Sequence, residues 1–253
     1  MIAIYDGNNY ARRVLETDPT GLAPRTLLTK LLNPGHAVIW VWDGAFGNAR
    51  RRQIYDGYKR QRTAPPPQIN DGFNLIEDVL KFTPTIQVRV KGYEGDDVIA
   101  SLTRHYVKVG EQVTIYSNDF DFAQLVAEAP DKVIAGYKPK AEVSPEMAFY
   151  YKVCVGDPSD NIPGIKGFGQ GTWERLSSES IKLLVDTIIT YGVVPEIEGL
   201  PIAVARWLDD NVELVQDYAK IIRFFDVPLE EISNNMTVGK ANYQAADKYL
   251  KEF

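Results

Sequence analysis

Short apolar runs rich in β-branched residues recur at 2–5, 37–42, 85–90, 113–117 and 132–135, each of a length suited to a buried strand. Between them, apolar positions fall at helical spacing over 22–32, 73–82 and 98–109, where Ile99, Leu102 and Tyr106 share one face. Alternating strand and helix predict an α/β fold with a mainly parallel sheet and flanking helices. From about Ser144 the strand signal stops and a helical pattern continues, interrupted at 164–171, at 192–195 and at Pro228. The expected organisation is an α/β core over 1–143 and a helical lobe over 144–253, with 228–253 forming a packing helix or two. The segment 44–68 breaks the rhythm: it is rich in Arg, Gly and Pro, ends in Pro65-Pro66-Pro67 and offers little to a core. It is expected to leave the sheet as a long excursion, partly helical when a ligand is present.

Composition narrows the chemistry. With 45% hydrophobic and 25% charged residues among 253, the chain has the balance of a soluble globular protein. No apolar run approaches the ~18 residues of a membrane span, and no basic flank precedes Asp6, so neither membrane partner nor secretory signal is expected. The single cysteine, Cys154, excludes an internal disulfide and fits a reducing, cytoplasmic setting. His36 and His105 are too few for a histidine-rich zinc centre. Any metal site must therefore be built from oxygen ligands, which selects hard cations such as magnesium or manganese.

The acidic residues supply that material. Predicted strands end in Asp6 and in Asp43; the third is followed by Glu94-Gly95-Asp96-Asp97 and the fourth by Asp119-Phe120-Asp121. In an open parallel sheet the ligand crevice lies beyond the carboxyl ends of the strands, so these side chains share one edge. Turn-forming or helix capping accounts for any one aspartate, but not for all of them on one edge. Crowded carboxylates raise each other's pKa unless cations sit among them. Two such ions ~3.5–4 Å apart activate a water and stabilise the leaving oxygen of a phosphodiester displacement. A further pair, Asp157 and Asp160, spaced by three, shares one face of a helical turn. Removing these nine charges from the net −6 leaves +3 elsewhere, so the acidic balance does not exclude a nucleic-acid partner.

Two further segments suit a phosphate backbone. Pro163-Gly164-Ile165-Lys166-Gly167-Phe168-Gly169 has the glycines of a turn between helices, where backbone N–H groups can hold a phosphate without reading bases. Ile165 and Phe168 are expected to plug its interior. The excursion carries Arg50, Arg51, Arg52, Lys59, Arg60 and Arg62 against Asp56, a local charge of +5. A solvated basic face is the plain reading; guidance of single-stranded DNA towards the acidic edge is the functional one, with Tyr55 and Tyr58 open to stacking or packing.

In order along the chain, these motifs resemble the 5′-nuclease family of phage flap endonucleases, 5′-3′ exonucleases and the 5′-nuclease domain of bacterial DNA polymerase I. Asp6 in Ile-Tyr-Asp-Gly-Asn, Asp43 in Trp-Asp-Gly, Tyr58-Lys59-Arg60-Gln61-Arg62, Glu94-Gly95-Asp96-Asp97, Asp119-Phe120-Asp121 and Gly156-Asp157-Pro158-Ser159-Asp160-Asn161-Ile162-Pro163-Gly164 carry the resemblance over about residues 1–225. It implies a PIN-like 5′-nuclease fold with a helical arch and a helix-hairpin-helix (helix-three-turn-helix) motif. It implies a first metal held by Asp6, Asp43, Glu94, Asp96 and Asp97, and a second by Asp119, Asp121, Asp157 and Asp160. Lys59 and Arg62 would contact the scissile phosphate. Arg50, Arg51, Arg52, Tyr58, Arg60, Gly164, Lys166, Gly167 and Gly169 would contact DNA, with a potassium ion on the backbone of Gly164, Gly167 and Gly169. Gln170-Gly171 departs from the family's Gly-x-Lys-Thr pattern, so the resemblance does not carry over the phosphate contact that this lysine makes.

The expected function is metal-dependent flap endonuclease and 5′-3′ exonuclease action on branched or 5′-ended DNA. RNA primers in RNA–DNA hybrids are a further expected substrate. The chain would act as a monomer beside a replication polymerase in a bacterial or phage-infected cell. A non-catalytic binder of branched DNA on the same scaffold predicts missing second-site carboxylates, and all are present. A ribonuclease of the related four-acid type is disfavoured by the hairpin and the arch motif.

Overall fold

The computed structural model describes residues 1–18, 21–138 and 143–252. These fall into two compact units: Met1–Gly47 with Thr63–Lys138 and Phe225–Phe253, and Asn48–Arg62 with Pro139–Phe224. The expected split near 143 assigned the whole of 44–68 to the first unit and 225–253 to the second. By contact, most of the excursion belongs with the helices and the C-terminal tail belongs with the sheet.

The first unit is built on a six-stranded sheet: β1 (Ile2–Asp6), β2 (Ala37–Trp42), β3 (Ile86–Arg89), β4 (Val113–Tyr116), β5 (Val133–Ala135) and β6 (Met236–Val238). The order is β5-β4-β1-β2-β3-β6, parallel throughout except for the antiparallel β3–β6 pair. The five expected strands are present within two residues at either end. The apolar runs are continuous because parallel strands are covered on both faces: Ile4, Ile39, Trp40, Trp42 and Tyr5 are all buried. Helices α1 (Gly7–Thr17), α2 (Ala23–Leu31), α4 (Pro67–Leu80), α5 (Gly95–Lys108) and α6 (Ala123–Glu128) connect them.

The chain winds outward from β1 through β2 to β3, then returns to pair β4 on the other side of β1. That reversal opens a crevice beyond the carboxyl ends of β1 and β4, where Asp6 and the segment 117–121 emerge.

The tail departs from the expectation of packing helices alone. It forms α11 (Leu229–Asn234), then β6, then α12 (Tyr243–Glu252). Three residues are too few to show a period, and β6 is specified by the open edge of β3, to which it pairs through Ile86↔Val238 and Val88↔Met236.

The second unit holds α3 (Ala49–Ile54), α7 (Ala148–Val155), α8 (Gln170–Arg175), α9 (Ser178–Tyr191) and α10 (Ile202–Ile222). Here the excursion is more than a solvated loop. It folds helix α3, and Arg51, Tyr58 and Lys59 are buried. Among the described residues, no helix is long and apolar enough to cross a membrane.

Candidate metal centre

The sheet edge gathers carboxylates as expected. Asp6 closes β1 and caps α1, its Oδ1 accepting the Asn9 N–H at 3.2 Å while Oδ2 accepts the Ser117 hydroxyl at 2.7 Å. Asp43 follows β2; its own N–H donates to Asn8 Oδ1 at 2.8 Å, and its Oδ1 accepts the Gly95 N–H at 2.7 Å. Gly95 opens α5, so the positive end of that helix dipole faces the Asp43 carboxylate. A Cβ at Gly95 would sit 3.1 Å from that carboxylate oxygen, close enough that the Asp43 side chain would have to shift by a few tenths of an ångström. Glu94, buried, precedes the helix and Asp96 lies in its first turn. After β4, Asp119 accepts the Asp121 N–H at 2.9 Å and donates its own N–H to the Ser117 hydroxyl at 3.1 Å.

Asp96, Asp119 and Asp121 each offer a carboxylate oxygen within 4.8 Å of the others, a group able to hold a metal ion. Asp6 carries the electrostatic cost of such crowding. Burial first, then the charges of Asp43 and Asp119, push its carboxyl up to about 7, against the relief given by Ser117 and Asn9. Oxygen-only donors, convergence and a carboxylate short of positive charge together fit a hard divalent cation.

Asp97 is fully buried, and its Oδ1 accepts the Phe225 N–H at 2.8 Å, a bond that anchors the returning chain.

In the second unit, the buried Asp157 and Asp160 head the turn after α7. Asp157 Oδ2 lies 2.5 Å from the buried Lys152 ammonium, and its Oδ1 accepts the Ser159 N–H and hydroxyl at 2.9 and 2.7 Å. Asp160 Oδ1 meets the Arg62 guanidinium at 2.8 Å and the Lys59 ammonium at 3.8 Å. Lys59 is fixed there by a left-handed backbone, φ 50°, and by its N–H to Asp160 O at 3.0 Å. Gln61 and Asn161 add bonds between the same two segments. The two expected phosphate-binding cations thus converge on one expected ligand.

The other expected DNA contacts divide. Arg51 is buried at 3% exposure and donates to Ile221 O at 2.8 Å and Arg223 O at 3.1 Å, so it braces α10 and is not available to DNA. Tyr58, 2% exposed, packs inside and offers no stacking face; Arg52 donates to Tyr58 O and Lys59 O. Run-of-charge reasoning missed the burial of Arg51, because partners 170 residues away leave no local signal, whereas Tyr58 takes the packing alternative left open for it. Arg50 and Arg60 are exposed, Arg60 pairing with Asp56. In the glycine turn between α7 and α8, Ile165 and Phe168 are buried as expected, while Lys166, Gly167 and Gly169 face solvent. Gly164, φ 72°, lets the turn close on α7, since a Cβ there would lie 2.6 Å from Gly156 N. Unforeseen from sequence are Asn8, Asn9 and Ser117, which orient Asp43 and Asp6, and Lys152, which pairs with Asp157. The doubled asparagine after a strand aspartate was the visible signal. Cys154 is fully buried, and burial pushes its thiol far up, so it is inert.

Residues 23–151 match the family described as 5′-3′ exonuclease, N-terminal resolvase-like domain. A 5′-3′ exonuclease of Aquifex aeolicus is 31% identical over 217 residues, covering 81% of this chain and 71% of that protein. A thermostable DNA polymerase I of Thermus aquaticus is 32% identical over 216 residues, 81% of this chain but 25% of the polymerase. The chain thus spans only about a seventh to a quarter of the polymerase I relatives that it matches. In structure it is similar to the 5′-exonuclease of bacteriophage T5 solved with bound zinc, with a TM-score of 0.62 at 18% identity, covering 99% of this chain and 97% of that one. That likeness gives the fold.

Proposed function

The chain belongs to the 5′-3′ exonuclease family, and on that premise we propose that it is a structure-specific 5′ nuclease. It hydrolyses DNA phosphodiesters at a flap or a 5′ end. The observation that carries this reading is the convergence of Asp96, Asp119 and Asp121 beside a strained Asp6 at the sheet's switch point. We assign Asp6, Asp43, Glu94, Asp96, Asp119 and Asp121 to divalent cations, magnesium or manganese, and keep Asp97, Asp157 and Asp160 as ligands on the family resemblance. Cations bound there would lower the pKa of a water and offset charge on the leaving oxygen. The protein's own part is to aim the carboxylates. Ser117 and Asn9 fix Asp6; Asn8 and the α5 N-terminus fix Asp43. Lys59 and Arg62 would exchange their Asp160 contact for the phosphate oxygens, stabilising charge where it develops.

The turn around Gly164, Gly167 and Gly169 would hold duplex backbone, with potassium among the carbonyls, as a helix-hairpin-helix does. RNA primers in hybrids, a partnering polymerase, a monomeric state and a cytoplasmic site of action belong to the same proposal. The test is a labelled 5′-flap duplex incubated with magnesium and with EDTA. Metal-dependent release of the flap is expected; absence of cleavage with magnesium overturns the reading.

A further inference from the structure

One large side chain beside the acidic edge is unaccounted for. Phe46 is 72% exposed and has a left-handed backbone, φ 61°, a region that side chains other than glycine's rarely adopt. Strain of this kind persists only where the surroundings impose it, and it gathers at ligand sites. Here the imposition is visible. The loop that follows Asp43 is clamped to the segment before Glu94 by Gly44 N–H to Tyr93 O at 3.1 Å and Gly92 N–H to Ala45 O at 2.8 Å. Gly44 and Gly47 press so closely that a Cβ at either would fall 1.8 Å from Val90 O or 2.6 Å from Tyr93 O. A loop with two such contacts cannot roll its third residue inward. The ring is held in water, three positions after an acid of the metal edge.

An exposed, rigidly held aromatic is a stacking surface, and every base offers a π-face irrespective of sequence. Over the ring, the exposed Lys91 ammonium lies 6.0 Å from the centroid. An exposed ring that already attracts a cation matches a nucleotide: base on the ring, phosphate with the lysine. We propose that Phe46 is a stacking platform for one unpaired base of the substrate strand next to the reacting phosphate, with Lys91 taking that nucleotide's phosphate. The proposal rests on the nuclease reading and deepens it. It makes Phe46 a positioning residue that acts on unpaired DNA without reading sequence.

The test measures binding of a 5′-flap duplex by fluorescence anisotropy, with calcium in place of magnesium, for wild type, Phe46→Ala, Phe46→Tyr and Phe46→Gly. A set of flaps carries an abasic site walked one nucleotide at a time past the junction. We expect Phe46→Ala and Phe46→Gly to bind about tenfold more weakly and Phe46→Tyr to match wild type. Phe46→Gly should melt no lower than wild type, because glycine relieves the backbone strain. At one abasic position wild type should lose the same factor and the alanine variant nothing more. A surface contact of any other kind, including one made by a protein partner, would show no such position. Equal binding by wild type and Phe46→Ala, or a loss identical at every abasic position, overturns the proposal. If wild type fails to cleave the intact flap with magnesium, the nuclease reading fails instead, and the two results are distinct.

Discussion

Replacing Asp6 by asparagine should stabilise the metal-free protein at high pH while removing its response to metal. Burial and the charges of Asp43 and Asp119 raise the Asp6 carboxyl from an ordinary 3.8 to about 7. A folded-state value above the unfolded one means that the contribution to stability is complete below about pH 4, while the group is protonated. It is lost as the pH climbs through about 7. At about 1.4 kcal/mol per unit of pKa, the loss by pH 8 is roughly 4 kcal/mol. Asparagine has no charge to desolvate and keeps the Oδ1 acceptor for Asn9. Its amide must donate to Ser117 Oγ, which already accepts the Asp119 N–H, so the serine proton loses its acceptor. That costs about 1 kcal/mol and leaves a gain of roughly 3 kcal/mol at pH 8.

For a chain of this size the gain corresponds to roughly 6–12 °C in melting temperature. Differential scanning calorimetry in EDTA at pH 4, 6 and 8 should show the two melting curves close at pH 4 and separating as the pH rises. Magnesium at pH 8 should then raise the melting point of wild type more than that of the variant, since metal relieves the same repulsion. Parallel pH curves for the two proteins would refute the argument that crowding at Asp6 is what a cation resolves.

Asp160→Asn should lower turnover by at least a hundredfold with DNA affinity nearly unchanged, measured as single-turnover flap cleavage beside anisotropy; equal loss of both would make it a folding residue. Lys59→Ala should lower turnover at saturating metal, and wild-type rates would remove the arch lysine from the mechanism. Lys152→Met leaves the buried Asp157 charge without its ammonium and should cost about 3–5 kcal/mol in urea unfolding, partly restored by adding Asp157→Asn. Arg51→Ala should cost about 2–4 kcal/mol through the orphaned carbonyls of Ile221 and Arg223. It should leave the salt dependence of DNA binding unchanged, whereas a phosphate contact would reduce its slope by about one.

The legible part of this site is the part that strand periodicity positions. Each apolar run points to a carboxyl end, and a doubly wound sheet brings those ends to one edge, so Asp6, Asp43 and Asp119 could be placed before any coordinates. What remained hidden depends on partners distant in sequence. Arg51 has the same local context as Arg50, yet it is a buried brace on the carbonyls at 221 and 223 while Arg50 is exposed. Strand β6 owes its three residues to the free edge of β3 rather than to a pattern of its own.

Asp96 and Asp97 lie between these cases, since helix geometry alone separates them. Adjacent residues in the first turn of α5 point about 100° apart around its axis and do not face one direction. Asp96 converges with Asp119 and Asp121 at the sheet edge, while Asp97 is fully buried with its Oδ1 on the Phe225 N–H. A doubled aspartate at a helix start can therefore serve two ends. Asp96 joins the converging carboxylates, and Asp97 fastens the chain where it re-enters the sheet unit.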